Sequence, residues 1–523
     1  MKWRTDLRQD VVIVGAGAAG LAAAIYLSAK GFSVTVVEKE AAVGGKMREV
    51  PVGDGELCAP INAGPTVFTM KWVFDELLAE AGLSLDELLT YHKADLLCRH
   101  GWRDGSRLDL FADIDASAAA IEEFSDRHNA DGYREFCAVA QRMFDTLQRT
   151  YIDAPRPNML QFAANIGFTN ISDMLALKPM ATMWKELGRH FTDPRLQQLF
   201  GRYATYCGSS PYWSPSTLML VAHVEQAGVW IADGGMHGVA KALATAAEKL
   251  GAEVKTGTGV ARIVSKGDQV DAVELTDGTV LQADSVVFNG DVSALADGLL
   301  GDLPAKAKPI TRANRSLSAL TLKVHAPTSG FPLAHHNVFF SDHYAAEFEA
   351  VFDQRRLPEQ PTTYICAQDR LDDGALPQGE GQAERLLLLV NAPPDGDKGD
   401  FTSDEIEQCL TNTQSQLETC GLKLDLTTVN QVRTGPSQFN GLFPATGGSL
   451  YGPQSKGMMA AFKRQGSRTA LKGLYLAGGS VHPGSGVPMA VLSGRRAAES
   501  LVADRASMPK SRPGGISGGI LTG

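Results

Sequence analysis

Three glycines and one carboxylate set the first chemical expectation. Gly15, Gly17 and Gly20 stand as G-x-G-x-x-G, and Glu38 follows 18 residues after the last of them. That spacing suits a dinucleotide. Gly15 permits a tight turn, Gly17 lets the backbone approach a pyrophosphate, and Gly20 lets a helix pack closely on a strand. Glu38 can accept both hydroxyls of a ribose, and no Arg follows it to receive a 2′-phosphate. The motif alone leaves a nicotinamide and a flavin dinucleotide both open. A second candidate stands near the other end of the chain, in "GGSVHPGSGVPMAV" (478–491). A glycine-rich loop there feeds an apolar helix, and a helix N-terminus favours an anion or an electron-rich group. Pro488 suits the first helical turn, where its missing N–H costs nothing.

Other reactive side chains carry weaker signals. His482 sits in the same loop and could assist proton removal, although a loop histidine more often hydrogen-bonds backbone. Asp145, Arg149, Asp153 and Arg156 read as a solvated helix face. His335, His336 and His343 have only a superficial metal spacing. No carboxylate or Cys completes a set in sequence, so no metal is expected.

These residues need elements to hold them. Val11–Val14 reads as a buried strand, residues 18–29 as an Ala-rich helix ended by Gly31, and Ser33–Val37 as a second strand. Residues 84–227 are mostly helical in period. Strand and helix signals resume near residue 229, with a Gly-Gly turn at 234–235 and a helix to about Leu250. A hairpin follows at Asp277-Gly278, then a buried strand over 284–288. Residues 307–432 alternate short strands with long loops, and "GLYLAGGS" is a last buried strand. The expectation is an α/β chain: a Rossmann-type domain from 1–85, 228–306 and 433–508, interrupted by a mixed β-sheet substrate domain (86–120 and 307–432). Residues 121–227 would form a helical cap, and the Gly-rich 509–523 a disordered tail.

Composition narrows the classes. At 523 residues, two or three domains are expected. A net charge of −10 and the lack of any Lys/Arg-rich run argue against nucleic acid. Seven scattered cysteines without C-x-x-C suit a reducing compartment rather than a disulfide framework. The polar start is not a signal peptide, and no stretch of about 18 apolar residues would span a bilayer.

Glu38 is followed by Gly44-Gly45, an E-x(5)-G-G arrangement that resembles FAD enzymes. Together, "VVIVGAGAAGLAAAIYLSAKGFSVTVVEKEAAVGGK", "NAGPTVF", "DGGMHGVAKAL" and "GGSVHPGSGVPMAVLSGRRAA" make the chain resemble the bacterial carotenoid (phytoene-type) desaturases, within the amine oxidase superfamily fold. "HHNVFFSDHYAAEF", "PTTYICAQDR" and "ATGGSLYGPQSKGMMAAFKRQGSRT" are similar to the 1-hydroxycarotenoid 3,4-desaturases of photosynthetic bacteria. The resemblance places Gly15, Gly17, Ala18, Ala19, Gly20, Glu38, Lys39, Gly45, Lys46 and Met47 on the ADP half of FAD, with Val260 at the adenine. It places Gly478, Gly479, Gly486, Val487 and Pro488 at the flavin. Where many FAD proteins carry a ribityl-binding Asp, this chain has Gly478-Gly479. His482, Asp153 and Arg156 become the catalytic candidates.

The implied reaction removes a hydride and a proton from adjacent carbons of an acyclic hydroxylated carotenoid. The polyene stabilises the intervening charge, so the protein supplies a long apolar tunnel and accurate placement. Oxygen or a quinone would take the electrons. A water-insoluble substrate implies peripheral association with a membrane surface, on its cytoplasmic side. Phe162, Ile166, Phe168, Ile171, Met174, Leu175, Leu177, Met180 and Met183 are candidates for that contact, and equally for core. Rival readings are a multi-step phytoene desaturase, a flavin amine oxidase, and a flavin-free protein of the GDP-dissociation-inhibitor type.

Overall fold

The structure, a computed structural model, describes residues 10–53, 58–166, 177–178, 181–303, 307–426 and 430–507. A five-stranded parallel sheet forms its base. In spatial order the strands are Glu253–Lys255, Ser33–Val37, Asp10–Val14, Ser285–Phe288 and Leu474–Leu476. The sequence reaches the fourth strand only after 247 residues counted from Val37 to Ser285, and the fifth near its end, so distant segments share one sheet.

Small residues allow that closure. The helix Ala18–Ala29 is buried over nearly its whole length. The C-terminal helix Val487–Ser507 crosses it at Gly494, where an added Cβ would stand 2.0 Å from the Ala19 carbonyl oxygen. On the other side runs the helix Gly235–Lys249, which buries a row of Ala, Val and Leu into the same core.

A seven-stranded sheet stands over this base, in the order Gln431–Thr434, Ser318–Ala326, Glu384–Ala392, Thr363–Ala367, His336–Phe339, Leu96–Gly101, Arg107–Phe111. Strand alternation divides its two faces. Leu386, Leu388 and Val390 pack into a core with the helix Ser403–Thr419, while Leu387, Leu389 and Asn391 line a large cavity. The last two strands lie at the start of residues 84–227, whose period is otherwise mostly helical. Gly105 turns with φ +82°, and Arg107–Phe111 alternates in burial, so residues 96–111 form a hairpin.

From Ile114 on, the described residues of that region are mainly helical. The helix Arg127–Leu147 is capped by Asp126, whose carboxylate accepts from the Asn129 amide at 2.8 Å. With Met183–His190, Pro194–Gly201 and Leu220–Ala227 it encloses an aromatic core around Tyr133, Phe136, Phe191 and Phe200. Met183 belongs to this core; Phe168, Ile171, Met174, Leu175 and Met180 lie outside the described residues, as does the tail 509–523. No helix among the described residues is long and apolar enough to cross a membrane.

Candidate active site

Between the two sheets lies one cavity of about 1550 Å³, with walls that are mostly apolar. A pocket for one small ligand holds roughly 300–1,000 Å³, so this space suits a cofactor and a substrate together. The glycine turn forms one end. Gly15 adopts φ +100°, and its N–H donates to Val37 O at 2.8 Å. Gly17 leads into the helix Ala18–Ala29 with no side-chain cap, so the first-turn amides remain available to an anion. Gly44 (φ +114°) and Gly45 (φ +57°) pass alongside; a Cβ on Gly45 would lie 3.3 Å from the Gly17 Cα. Gly20 stays off the cavity wall, because its role is contact: an added Cβ would stand 2.0 Å from Gly15 O.

Glu38 is held at the mouth of this turn. Its Oε2 accepts from the Ala16 amide at 2.8 Å and its Oε1 from the Glu40 amide at 3.0 Å. Each oxygen keeps a further lone pair for a ribose hydroxyl. Ala18, Ala19, Lys39 and Val260 line the same end, and Met47 lines the cavity further along. Lys46 donates from Nζ to Leu450 O at 2.5 Å and lies 5.2 Å from the centre of the Phe443 ring. Burial lowers its pKa, and Asp291 opposes that shift.

At the far end, Gly478, Gly479, Gly486, Val487 and Pro488 line the cavity, with the C-terminal helix opening at Val487. Two side chains pin this loop. Ser493 Oγ accepts from the Gly478 amide at 3.1 Å, and Arg464 Nη1 donates to Gly479 O at 2.6 Å. The uncapped glycine turn, the glycine passage and the second helix start form a cradle that fits an extended dinucleotide. The sequence reading did not single out Asn289, Asp291 or Arg464, which also line it. "VVFNGDV" carries a signal, a buried strand ending in polar residues, and only its pairing with Asp10–Val14 sets those residues beside the glycine turn.

The three catalytic candidates come together, behind the wall. Tyr151, Ile152 and Pro483 line the cavity, whereas Asp153, Arg156 and His482 do not. His482 Nε2 donates to Ala154 O at 3.0 Å, its ring packs edge-on to Tyr151, and burial lowers its pKa to about 4. Arg156 donates to Phe462 O at 2.7 Å, and Asp153 accepts from Arg496 through its backbone oxygen. Asp153 is solvent-exposed. Arg149 Nε donates to Asp145 O at 3.1 Å.

Strand pairing sets Cys366 directly across from His336, and His335, His336 and Cys366 place three ligand atoms within 4.8 Å. A cysteine does complete that set, 30 residues beyond His336 and so invisible to local spacing. His343 is not part of it. His336 Nδ1 and the Tyr364 hydroxyl lie 2.7 Å apart, which already engages that nitrogen.

A polar group within the apolar wall also escaped the sequence reading. Arg202, Tyr206, Glu225 and Tyr344 all line the cavity. They are scattered over three elements, and only the tertiary fold gathers them.

Residues 18–502 match the family of flavin containing amine oxidoreductases. Hydroxyneurosporene desaturase of Rubrivivax gelatinosus is 50% identical over 98% of this chain and 97% of its own. The 1-hydroxycarotenoid 3,4-desaturase of Flavobacterium sp. strain P99-3 is 31% identical over 94% of this chain and 98% of its own. A putrescine oxidase redesigned in its cofactor binding shares the fold, with a TM-score of 0.59 at 16% identity, covering 95% of this chain and 99% of that one. FAD is the cofactor that both this family and the two-ended cradle call for. Matched along nearly its whole length, the chain belongs to the flavin-containing amine oxidoreductases, in their carotenoid desaturase branch.

Proposed function

We propose that this protein introduces the C3,4 double bond into an acyclic 1-hydroxy carotenoid, such as 1-hydroxyneurosporene. The observation that carries this reading is the joining of a dinucleotide cradle to a long, mainly apolar cavity in one continuous space. Bound FAD supplies a two-electron acceptor for the hydride. The residues named above would hold it: Glu38 at the ribose, the Ala18 helix start at the pyrophosphate, and Gly478 to Pro488 along the ring system.

The chain's own groups do the rest by placement and exclusion. Leu387, Leu389 and Val338 from the sheet, with Leu220, Val221 and Val224 from the helical cap, enclose an apolar path that keeps water from a charged polyene. The N-terminal amides of the C-terminal helix favour negative charge developing in front of them. Held neutral against Ala154 O, His482 fixes the loop; Asp153 and Arg156 brace the same corner.

A membrane surface, on its cytoplasmic face, would deliver the substrate, and oxygen or a quinone would take the electrons. Supporting the first is a rim of exposed apolar side chains. Leu160 is 82% exposed, and Met159 and Met458, about 40% exposed, reach both rim and cavity. Phe162, Ile166 and Leu177 continue inward along the wall.

The test is a set of separate incubations with 1-hydroxyneurosporene, neurosporene and phytoene, followed by product chromatography. A 3,4-didehydro product from the hydroxylated substrate is expected. Product from phytoene alone would sink the reading in favour of a multi-step desaturase.

A further inference from the structure

One polar cluster in the cavity wall lies outside the residues assigned to the cofactor. Arg202 is 4% exposed, at the start of the short helical turn Arg202–Cys207. Its Nη1 donates to the Tyr206 hydroxyl at 2.7 Å, but its Nε and Nη2 have no partner among the described residues. Tyr206 and Tyr203 each donate to the Glu225 carboxylate, at 2.8 and 2.6 Å. That carboxylate balances the guanidinium charge through the tyrosines. The Tyr344 hydroxyl, on the same cavity, is likewise buried and without a partner among the described residues. Burial and the nearby Glu347 hold Tyr344 protonated, against the opposing pull of Arg202, so its hydroxyl is a neutral donor and acceptor.

We propose that Arg202, Tyr206 and Tyr344, balanced by Glu225, form a subsite for the hydroxyl of an oxygenated polyene and so select hydroxylated over purely hydrocarbon substrates. The proposal rests on the desaturase reading above. A guanidinium has only donors, and a buried donor left unmade is a standing penalty that hydrocarbon cannot relieve. A hydroxyl relieves it: its lone pairs accept from Arg202 while its proton goes to the Tyr344 oxygen. The charge state selects further. A cationic amine would meet Arg202 unfavourably, and an anion would meet Glu225; a neutral alcohol suits a cluster whose charges cancel.

Placement adds a second consequence. The turn that begins at Arg202 ends at Cys207, whose thiol meets Ser485 in the glycine loop. At about 2 Å of rise per residue, that turn spans roughly 10 Å. In a 1-hydroxy carotenoid only C2 separates the hydroxyl carbon from the C3–C4 bond. Anchoring the hydroxyl therefore sets which bond stands before the cofactor.

The experiment uses the FAD-loaded full chain and two variants, Tyr344→Phe and Arg202→Met. Binding of 1-hydroxyneurosporene and of neurosporene is followed by tryptophan fluorescence quenching, and turnover is measured alongside. The wild type is expected to bind the hydroxylated carotenoid at least about 100-fold more tightly, since a site built around a hydroxyl rejects the analogue that lacks it. Tyr344→Phe should cut that ratio about tenfold at unchanged thermal stability, because its hydroxyl has no bond to lose within the protein. Arg202→Met should remove the preference. If Arg202→Met does not fold, Tyr344→Phe decides alone. An unchanged binding ratio in the folded variants would overturn the proposal. Turnover of neither carotenoid would instead overturn the desaturase reading, while the binding ratio still decides the subsite.

Discussion

Glu38 is positioned by the protein before any ligand arrives. The Ala16 and Glu40 amides orient its carboxylate toward the glycine turn, so ribose recognition requires little further ordering. In Glu38→Gln one oxygen and the charge are lost, and charge-assisted hydrogen bonds contribute about 1.5–3 kcal/mol each. FAD affinity, read by recovery of flavin fluorescence on release, should fall roughly tenfold or more. His482 gives a pH prediction of opposite character. Burial lowers its pKa to about 4 from an ordinary 6.5, so the unfolded chain binds the proton more tightly. Its contribution to stability is therefore present above pH 6.5 and is lost as pH falls from 6.5 to 4, to a limit of about 3 kcal/mol. His482→Gln, which keeps a donor for Ala154 O, should flatten that part of a plot of urea midpoint against pH. An unchanged slope would show that the acid sensitivity lies elsewhere.

At the scale of elements, legibility followed locality. Residues 10–38 could be read closely because strand, turn and helix each depend on neighbours within a few positions, and the helix bounds 18–29 were found as expected. Arg202, Glu225 and Tyr344 could not be read as a site, since three separate elements bring them together. Cys366 was missed for the same reason: strand register, absent from local spacing, sets it opposite His336. The hairpin 96–111 lies inside 86–120, a segment expected to join the sheet domain, but its strand bounds are not legible in a stretch whose average period is helical. The crossing of the two cofactor helices can be tested directly. At Gly494 a Cβ would enter the Ala19 carbonyl, which belongs to a backbone that cannot swing aside. Gly494→Ala should cost about 1–3 kcal/mol by overpacking. It should also displace the helix that opens at Val487, lowering FAD content at saturating FAD. Normal stability with full FAD content would show that the helices part without consequence.

Taken as one object, the molecule is a passage between a lipid-soluble substrate and a water-soluble cofactor end. Its first and last strands share the sheet under the cofactor, while the inserted sheet and helical cap supply the walls. That arrangement makes a prediction about delivery rather than chemistry. Leu160, Met159, Met458 and Met459 stand exposed in two segments that approach the same stretch, where Phe162 packs on Phe462 at 5.2 Å between ring centres. Burying one large apolar side chain is worth about 1.5–3 kcal/mol, so a few such residues suffice for reversible attachment to a bilayer. Leu160 touches no buried core and Met459 does not line the cavity, so charging both leaves the catalytic space intact. The double variant Leu160→Glu and Met459→Glu should bind neutral lipid vesicles at least about tenfold more weakly in flotation. Its turnover should fall with carotenoid supplied in vesicles and hold with carotenoid supplied in detergent micelles. Equal losses in both would place the defect in folding or chemistry; no loss in either would overturn the assignment of this face to membrane contact.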